Sequence, residues 1–344
     1  MENRRPKIVV IGGGSGSSVL LKGLKAHNAD ISSIVTTFDS GGSSGVLREE
    51  FGYPPLGDLR QCLLALSDES DETALLRSAS EFRFSKASSL NGHSLGNLLL
   101  AALMSPDNDI EAAVARMSRM LRIKGQVIPV ALKQSDLCAE LEDGSVLRGE
   151  STIDLRRSNT PAIRRVFLDP PVRANPRAIA AIKQADAKVM GPGDLYTSII
   201  PNILVTGVGE AINTTTATTV YVCNLMTKLG ETGGFKASDF VSEISHYLQG
   251  HRVDWTLVNS RPVPPEVQQL YAAEQATPVE IDEERLSHYT RKHMSVFLTQ
   301  PGQKVRHDPE RLAEAVLSAI DIRQGLEKLP EAPQSQEISS AIAD

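Results

Sequence analysis

Cysteine is scarce in this chain. Three occur in 344 residues, Cys62, Cys138 and Cys223, widely spaced and outside any metal-binding or disulfide pattern. They read as buried thiols of a reducing compartment. Long apolar runs are missing too: nothing approaches the roughly 20 residues that span a bilayer, and Met1 to Pro6 is polar and short, without the apolar core of a secretory signal. A cytoplasmic location without membrane insertion is expected. Positive charge is in deficit, with 36 lysines and arginines against 42 aspartates and glutamates, a formal charge of −6. That balance argues against nucleic acid as a main partner, despite the local pairs Arg156-Arg157 and Arg164-Arg165. The histidines are scattered and form no H-x-x-x-H metal pair. No Ser-His-Asp order, G-x-S-x-G elbow or glycosidase-type carboxylate pair stands out.

What is present begins at the first strand. Lys7-Ile8-Val9-Val10-Ile11 runs into Gly12-Gly13-Gly14-Ser15-Gly16-Ser17-Ser18, and an apolar run reopens at Val19-Leu20-Leu21. A strand ending in small residues and reopening as a helix brings unpaired backbone N–H groups and a helix N-terminus to one point, which favours phosphate or another anion. The dinucleotide fingerprint G-x-G-x-x-G fails in both registers, because Ser17 or Val19 falls at its last position. No Walker-type G-K-[ST] follows; the nearest lysine, Lys22, lies inside the expected helix. A plain turn would need fewer small residues, so a phosphate or diphosphate cradle is the better reading.

Strand and helix patterns alternate through the first hundred residues, with a strand at 31–38, helices at 56–67, 69–80 and 94–104, and another helix at 109–123. Short strands at 127–132, 137–141, 146–148 and 163–167 then suggest a β-rich insertion over about 124–172. Alternation resumes with a helix at 176–185, strands at 187–190, 219–223 and 255–258, and helices at 237–248 and 265–273. Asp308-Pro309 opens a last helix as N-cap and first-turn proline. The end, 326–344, is rich in Pro, Gln, Ser and Glu and reads as disordered. The pattern predicts one α/β domain over 7–325, Rossmann-like, with a mostly parallel sheet covered by helices on both faces.

Ligands of such sheets bind outside the carboxyl ends of the strands. Those ends carry Gly12–Gly16, then Asp39-Ser40-Gly41-Gly42-Ser43-Ser44-Gly45, then Gly191-Pro192-Gly193-Asp194, then Asn224. Asp39 follows Gly16 at about the spacing that brings an acidic residue to a ribose. The serines and glycines behind it suit a second anion nest. Asp58 and Arg60 read either as helix cap and surface charge or as an arginine aimed at phosphate. His93, in a glycine-flanked loop, reads equally as a loop brace or a ligand contact.

Taken together these strings resemble the YvcK proteins, the gluconeogenesis factors of the CofD-like superfamily. Ile11-Gly12-Gly13-Gly14-Ser15-Gly16, the Asp39 loop and Gly57-Asp58-Leu59-Arg60 match in order, as do Gly92-His93-Ser94-Leu95-Gly96-Asn97 and Leu137-Cys138-Ala139-Glu140-Leu141. Gly191-Pro192-Gly193-Asp194-Leu195-Tyr196-Thr197-Ser198-Ile199-Ile200-Pro201-Asn202, Val222-Cys223-Asn224-Leu225-Met226-Thr227 and Val305-Arg306-His307-Asp308 complete the set, covering residues 7–322. The resemblance implies a Rossmann-like core, a cytoplasmic location and binding of UDP-N-acetylglucosamine, with a role in cell shape and envelope synthesis during gluconeogenic growth. Ser40 stands where the family usually has a second aspartate, and Gln61 where it usually has asparagine. The first change weakens the case for a metal at that loop and leaves a sugar or ribose role for Asp39.

The expectation is therefore a binding regulator rather than an enzyme. Gly12, Gly13, Gly14, Ser15 and Gly16 would hold the diphosphate and Asp39 the ribose or sugar hydroxyls. Gly191, Gly193, Asp194 and Asn224 would shape the cleft, and Arg306 would supply positive charge. Gly41, Gly42, Ser43, Ser44, Asp58, Arg60, His93, Asn97, Tyr196 and Asn202 complete the ligand-binding candidates. No metal is assigned; Mg2+ would enter only with catalysis. The alternative is a CofD-type transferase moving a 2-phospholactyl group from a guanosine diphosphate-linked donor, and an NAD-dependent oxidoreductase is disfavoured by the broken fingerprint. Nothing in the sequence opposes a homodimer, and protein partners in envelope synthesis are not legible in it.

Overall fold

A computed structural model describes residues 4–85, 90–104, 108–156, 160–297, 299 and 305–323. The tail at 326–344 lies outside them. Strands β1 (Lys7–Gly12), β2 (Asp30–Val35) and β3 (Gln126–Pro129) come first in the chain. β4 (Asp136–Leu141), β5 (Val146–Arg148) and β6 (Ile163–Asp169) follow, then β7 (Ala187–Met190), β8 (Thr218–Val222), β9 (Val253–Asn259) and β10 (Thr290–Val296). Seven of them form one sheet in the order β10-β9-β8-β7-β1-β2-β3, and every pairing in it is parallel. The other three form an antiparallel sheet, β5-β4-β6. The expected α/β class with a small β-rich addition is thus the observed one. β3, grouped with the insertion in the sequence pattern, pairs instead with β2 in the large sheet.

The sheet is parallel because both of its faces are buried. Along β1, Ile8 and Val10 join one hydrophobic cluster while Val9 and Ile11 join the other. An unbroken apolar strand of this kind needs cover on each side. On one face pack α1 (Gly14–Leu24), α3 (Gly57–Leu66), α5 (Leu95–Met104), α6 (Ile110–Met120) and α14 (Pro309–Arg323). On the other lie α8 (Pro176–Gln184), α9 (Ile200–Leu204), α10 (Val208–Thr214) and α11 (Ala237–Tyr247), together with the small sheet. Short polar side chains start several helices: Asp109 accepts from the Glu111 and Ala112 amides, Asn175 from Arg177, and Asp308 from Glu310 and Arg311. Among the described residues no helix is long and apolar enough to cross a membrane.

α1 and α14 meet closely, and that contact brings the last segment of the described chain back to the first loop. A Cβ on Gly23 would lie 1.9 Å from the Pro309 carbonyl oxygen and 2.9 Å from the Ala313 Cβ. Gly23→Ala should therefore force the helices apart. The strain, about 1–3 kcal/mol, is expected to outweigh the gain in helix propensity of about 1 kcal/mol. Urea unfolding should show a net loss of stability. Equal or greater stability would mean that α14 docks less closely than this geometry requires.

Candidate functional site

β1 leads to β2 on one side of the sheet, whereas β7 leads to β8 on the other, so the strand order reverses between β1 and β7. The crevice outside the carboxyl ends of such strands is the ligand site of open α/β sheets. Here it is a cleft of about 860 Å³. The loops after β1, β2, β7 and β8 all reach it, through Gly13 to Gly16, Asp39, Pro192 to Asp194 and Asn224. Asp58 and Gln61 of α3 lie in its wall, as do Lys22, Thr197, Ser198, Tyr271, Glu274 and the Val305-Arg306-His307 segment before α14.

Close approach explains the glycines. A Cβ on Gly13 would lie 2.3 Å from Asp58 Oδ2, and one on Gly16 would lie 2.3 Å from the Pro192 carbonyl oxygen. Gly14, at φ +63°, holds a left-handed conformation that disfavours other residues. The Asp58 carboxylate packs against this turn and accepts the Gly14 backbone N–H, placing a negative charge at the start of α1. Burial, and then the charges of Asp39 and Asp194, push the Asp58 carboxyl up to about 7.

Eleven of the expected ligand residues stand behind this wall rather than in it. Gly12 ends β1, and its carbonyl accepts the Asn202 side-chain amide at 3.1 Å. Gly41 donates its N–H to Asp39 Oδ1 at 2.7 Å. Gly42, Ser43 and Ser44 open a helix, α2 (Gly42–Phe51), where a second anion nest was expected. Buried Ser43 Oγ lies 2.9 Å from His93 Nδ1 and accepts the Asn97 amide at 3.2 Å. Arg60 Nε donates to Asn97 Oδ1 at 2.9 Å, and NH1 donates to the Ser80 carbonyl at 3.4 Å. Arg60 thus braces α3 against α5 and the end of α4 (Asp71–Glu81), away from the cleft. Gly191 and buried Tyr196 likewise shape the β7 loop and the π-helical turn after it, Leu195–Ile199, without lining the cleft.

The charged residues that sequence reasoning missed come mainly from the insertion and the β8 loop, with Lys22 and Glu274 besides. Glu150 and Asp154 lie on α7 (Glu150–Asp154), a short helix between β5 and β6. It is fastened to the β2 loop, where the Ser151 N–H donates to Ser40 Oγ at 3.0 Å. On the far side Lys228 contacts Asp154, and Arg156 donates to the Gly230 carbonyl. Burial pushes the Glu150 carboxyl up to about 9, helped by the charges of Asp39 and Asp154 and by a hydrogen bond to Asp39. Glu231, fully buried beneath Lys228, is pushed up by desolvation and by Asp194, with Lys228 acting against them; both its oxygens accept hydrogen bonds, as its ion pair with Lys228 requires. Burial lowers the Lys228 pKa, but the charges of Glu231, Asp194 and Asp154 outweigh it and hold the ammonium above its usual value. His307, buried at the rim, is pushed down to about 4 by desolvation, against a hydrogen bond to the Cys223 backbone.

The cleft therefore carries charges of both signs. Six carboxylates line it (Asp39, Asp58, Glu150, Asp154, Asp194 and Glu274) and four cations (Lys22, Arg156, Lys228 and Arg306). Lys228 is engaged by carboxylates and Arg156 by carbonyls. Exposed Lys22 and Arg306 make no ion pair among the described residues. Amides and cations suit an anion, and the carboxylates suit hydroxyl donors. Asp154, Asp194 and Glu231 also lie close enough together to hold a metal ion, but the Lys228 ammonium sits among them.

These shifts fix a pH dependence. Asp58 and Glu150 are protonated in folded and unfolded chains at low pH. As pH rises past 3.8 to 4.5 the unfolded chain ionises first, so stability falls until the folded values of about 7 and 9 are passed. His307 acts in the opposite sense, but only between about 4 and 6.5. Between pH 6.5 and 8.5 the melting temperature should therefore fall with rising pH, and Glu150→Gln should flatten that slope. A melting temperature that rises across this window would contradict the assignment.

Comparison with known proteins identifies the relatives of this chain. The family profile described as 2-phospho-L-lactate transferase CofD matches residues 8–299. The gluconeogenesis factor of Bacillus subtilis (strain 168) is 42% identical over 324 residues, spanning 92% of this chain and 99% of that protein. The gluconeogenesis factor of Halalkalibacterium halodurans is 42% identical over 319 residues, spanning 91% of this chain and 96% of its own. The crystal structure of a upf0052-family protein from Bacillus halodurans superimposes with a TM-score of 0.86 at 41% identity, covering 91% of this chain and 99% of that one. With matches of this extent, the chain belongs to the CofD family, in its YvcK-type branch of gluconeogenesis factors.

Proposed function

We propose that the cleft binds a nucleotide sugar, UDP-N-acetylglucosamine, and that the protein is a cytoplasmic binding regulator supporting cell shape and envelope synthesis during gluconeogenic growth. One observation carries the reading: the N-terminus of α1 and carboxylates such as Asp39 line a single cleft at the strand-order reversal. A diphosphate would lie at the loop amides beside Lys22 and Arg306, and the ribose and sugar hydroxyls would donate to carboxylates such as Asp39. The name shared by the relatives supports the gluconeogenic setting. Calorimetric titration with UDP-N-acetylglucosamine tests the ligand directly, with GDP and NAD as comparisons.

A second reading is a CofD-type phosphotransferase, favoured by the description of the matched family. Incubation with a guanosine diphosphate-linked 2-phospholactyl donor and a deazaflavin acceptor separates the two, because only the transferase releases GMP.

Two substitutions probe the two halves of the cleft. Asp39→Asn should weaken UDP-N-acetylglucosamine binding by about ten- to a hundredfold, the loss expected when a carboxylate accepting hydroxyls becomes neutral. Unchanged affinity with lowered stability would confine Asp39 to its bond with the Gly41 amide. Arg306→Ala should cost about the same in affinity, through one charge-assisted contact of about 1.5–3 kcal/mol. Because Arg306 is exposed, its melting temperature should stay at the wild-type value. Wild-type binding by this variant would remove Arg306 from the site.

A further inference from the structure

Lys228 has an unusual set of neighbours for a residue in the wall of an anion-binding cleft. Its Nζ contacts Asp154, lies 2.7 Å from Asp194 Oδ2 and lies 3.3 Å from Glu231 Oε1. An ammonium has three N–H donors and no acceptor; here it donates to Asp154 and Asp194 and sits in ion-pair contact with Glu231. A ligand phosphate would have to compete with three carboxylates for Lys228. Lys228 is thus poorly placed as a direct phosphate contact, although it lines the cleft.

The carboxylates belong to three separate parts of the chain. Asp154 comes from the insertion helix α7, Asp194 from the loop after β7, and Glu231 from the loop after β8. Glu231 is itself fixed, accepting the Tyr196 N–H and the Thr197 hydroxyl at 3.2 Å each. One oxygen from each of the three lies within 4.8 Å of the others. That spread matches the ligand shell of a divalent cation such as calcium, whose oxygens sit at about 2.3–2.6 Å from the ion. The cage has the size and charge of a metal site, and an ammonium fills it.

We propose that Lys228 is a positioning residue that stands in for a divalent cation. Its ammonium holds Asp154 and Asp194 in place, so that this wall of the cleft, and the docking of the insertion onto the core, are set without metal. Lys228 acts on ligand binding through those two carboxylates rather than by touching the ligand. The assignment of the cage stands on its own geometry; its effect on affinity rests on the nucleotide-sugar reading above.

The test is a metal rescue, with Mn2+ as the probe. Lys228→Gln should lower the melting temperature and take up one more Mn2+ per chain than wild type, and that uptake should restore the lost stability. Adding Asp154→Asn to Lys228→Gln should abolish both the extra uptake and the rescue. Should Lys228→Gln fail to fold alone, refolding in Mn2+ is expected to recover it. Uptake equal to wild type, Mn2+ that stabilises both proteins alike, or no recovery on refolding in Mn2+ would each overturn the proposal. These measurements need no nucleotide. In a second arm, with EDTA present, Lys228→Gln should bind UDP-N-acetylglucosamine about tenfold or more weakly than wild type, as for loss of an orienting partner, and Mn2+ should restore it. Wild-type protein that binds no UDP-N-acetylglucosamine would remove the ligand reading and leave the cage assignment to the Mn2+ result. Lys228→Gln that binds as wild type does in EDTA would overturn the positioning role.

Discussion

Backbone crowding at the first loop is the constraint on which the rest of the structure depends. The turn of Gly13 to Gly16 is pressed between the Asp58 carboxylate and the Pro192 carbonyl, each too near to admit a Cβ. A side chain at position 13 or 16 would separate α1 from α3 or the β1 loop from the β7 loop. Because the turn stays thin, α1 starts directly outside the sheet at the point where strand order reverses. The polar amides at its N-terminus then face a cleft instead of a packed core. At its other end α1 uses Gly23 in the same way, admitting α14 and bringing Arg306 and His307 to the rim.

A site so rich in carboxylates must deal with repulsion among them. The structure uses two devices with different physical content. At the β2 loop, Glu150 is desolvated beside Asp39 and keeps its proton, so the pair presents less charge than its composition suggests. At the β8 loop the desolvated groups surround a lysine, which remains charged because three carboxylates offset the burial of its ammonium. Both devices join the insertion to the core. α7 is fastened at Ser40 and Glu150 on one side and at Asp154 and Arg156 on the other. The insertion is therefore one wall of the cleft as well as an added sheet.

The strands and helices with strong local signals were legible in the sequence. β5 falls on the expected residues, the helix at Ala237–Tyr247 differs from expectation by one residue, and Asp308-Pro309 starts α14 as its cap chemistry requires. The second strand was expected to continue to Phe38 but ends at Val35. Phe38 is apolar because it is buried in the core beyond the sheet, so its hydrophobicity was a true signal of burial and a false one of strand. α2 was hidden because its first turn is Gly42-Ser43-Ser44-Gly45, a poor helix-forming string. Gly45 is there because a Cβ would lie 2.3 Å from the Ser40 carbonyl oxygen. β10, with its Thr-Arg-Lys-His start, is an edge strand with a largely polar face and gave no periodic signal.

The site was most legible where a strand ended in it, with Asp58 and Arg306 found through their motifs. Glycine turns at strand ends announce themselves in one dimension, and three such turns, with Asn224 after β8, do converge on the cleft. Asp154, Asp194, Lys228 and Glu231 form one cluster from three segments, and of these only Asp194 stood out in the sequence, the others looking like ordinary surface charges. Arg60 shows the converse. Its Gly-Asp-x-Arg setting suggests a phosphate ligand, yet its guanidinium is turned inward to Asn97 and Ser80. Asn97 in turn binds Ser43, whose hydroxyl lies against His93. A chain of buried hydrogen bonds of this kind fixes the start of α2 and hence the loop that carries Asp39. The motif residues Arg60, His93 and Asn97 therefore bear on the cleft by orienting a group that lines it, a role that sequence spacing alone does not distinguish from direct contact.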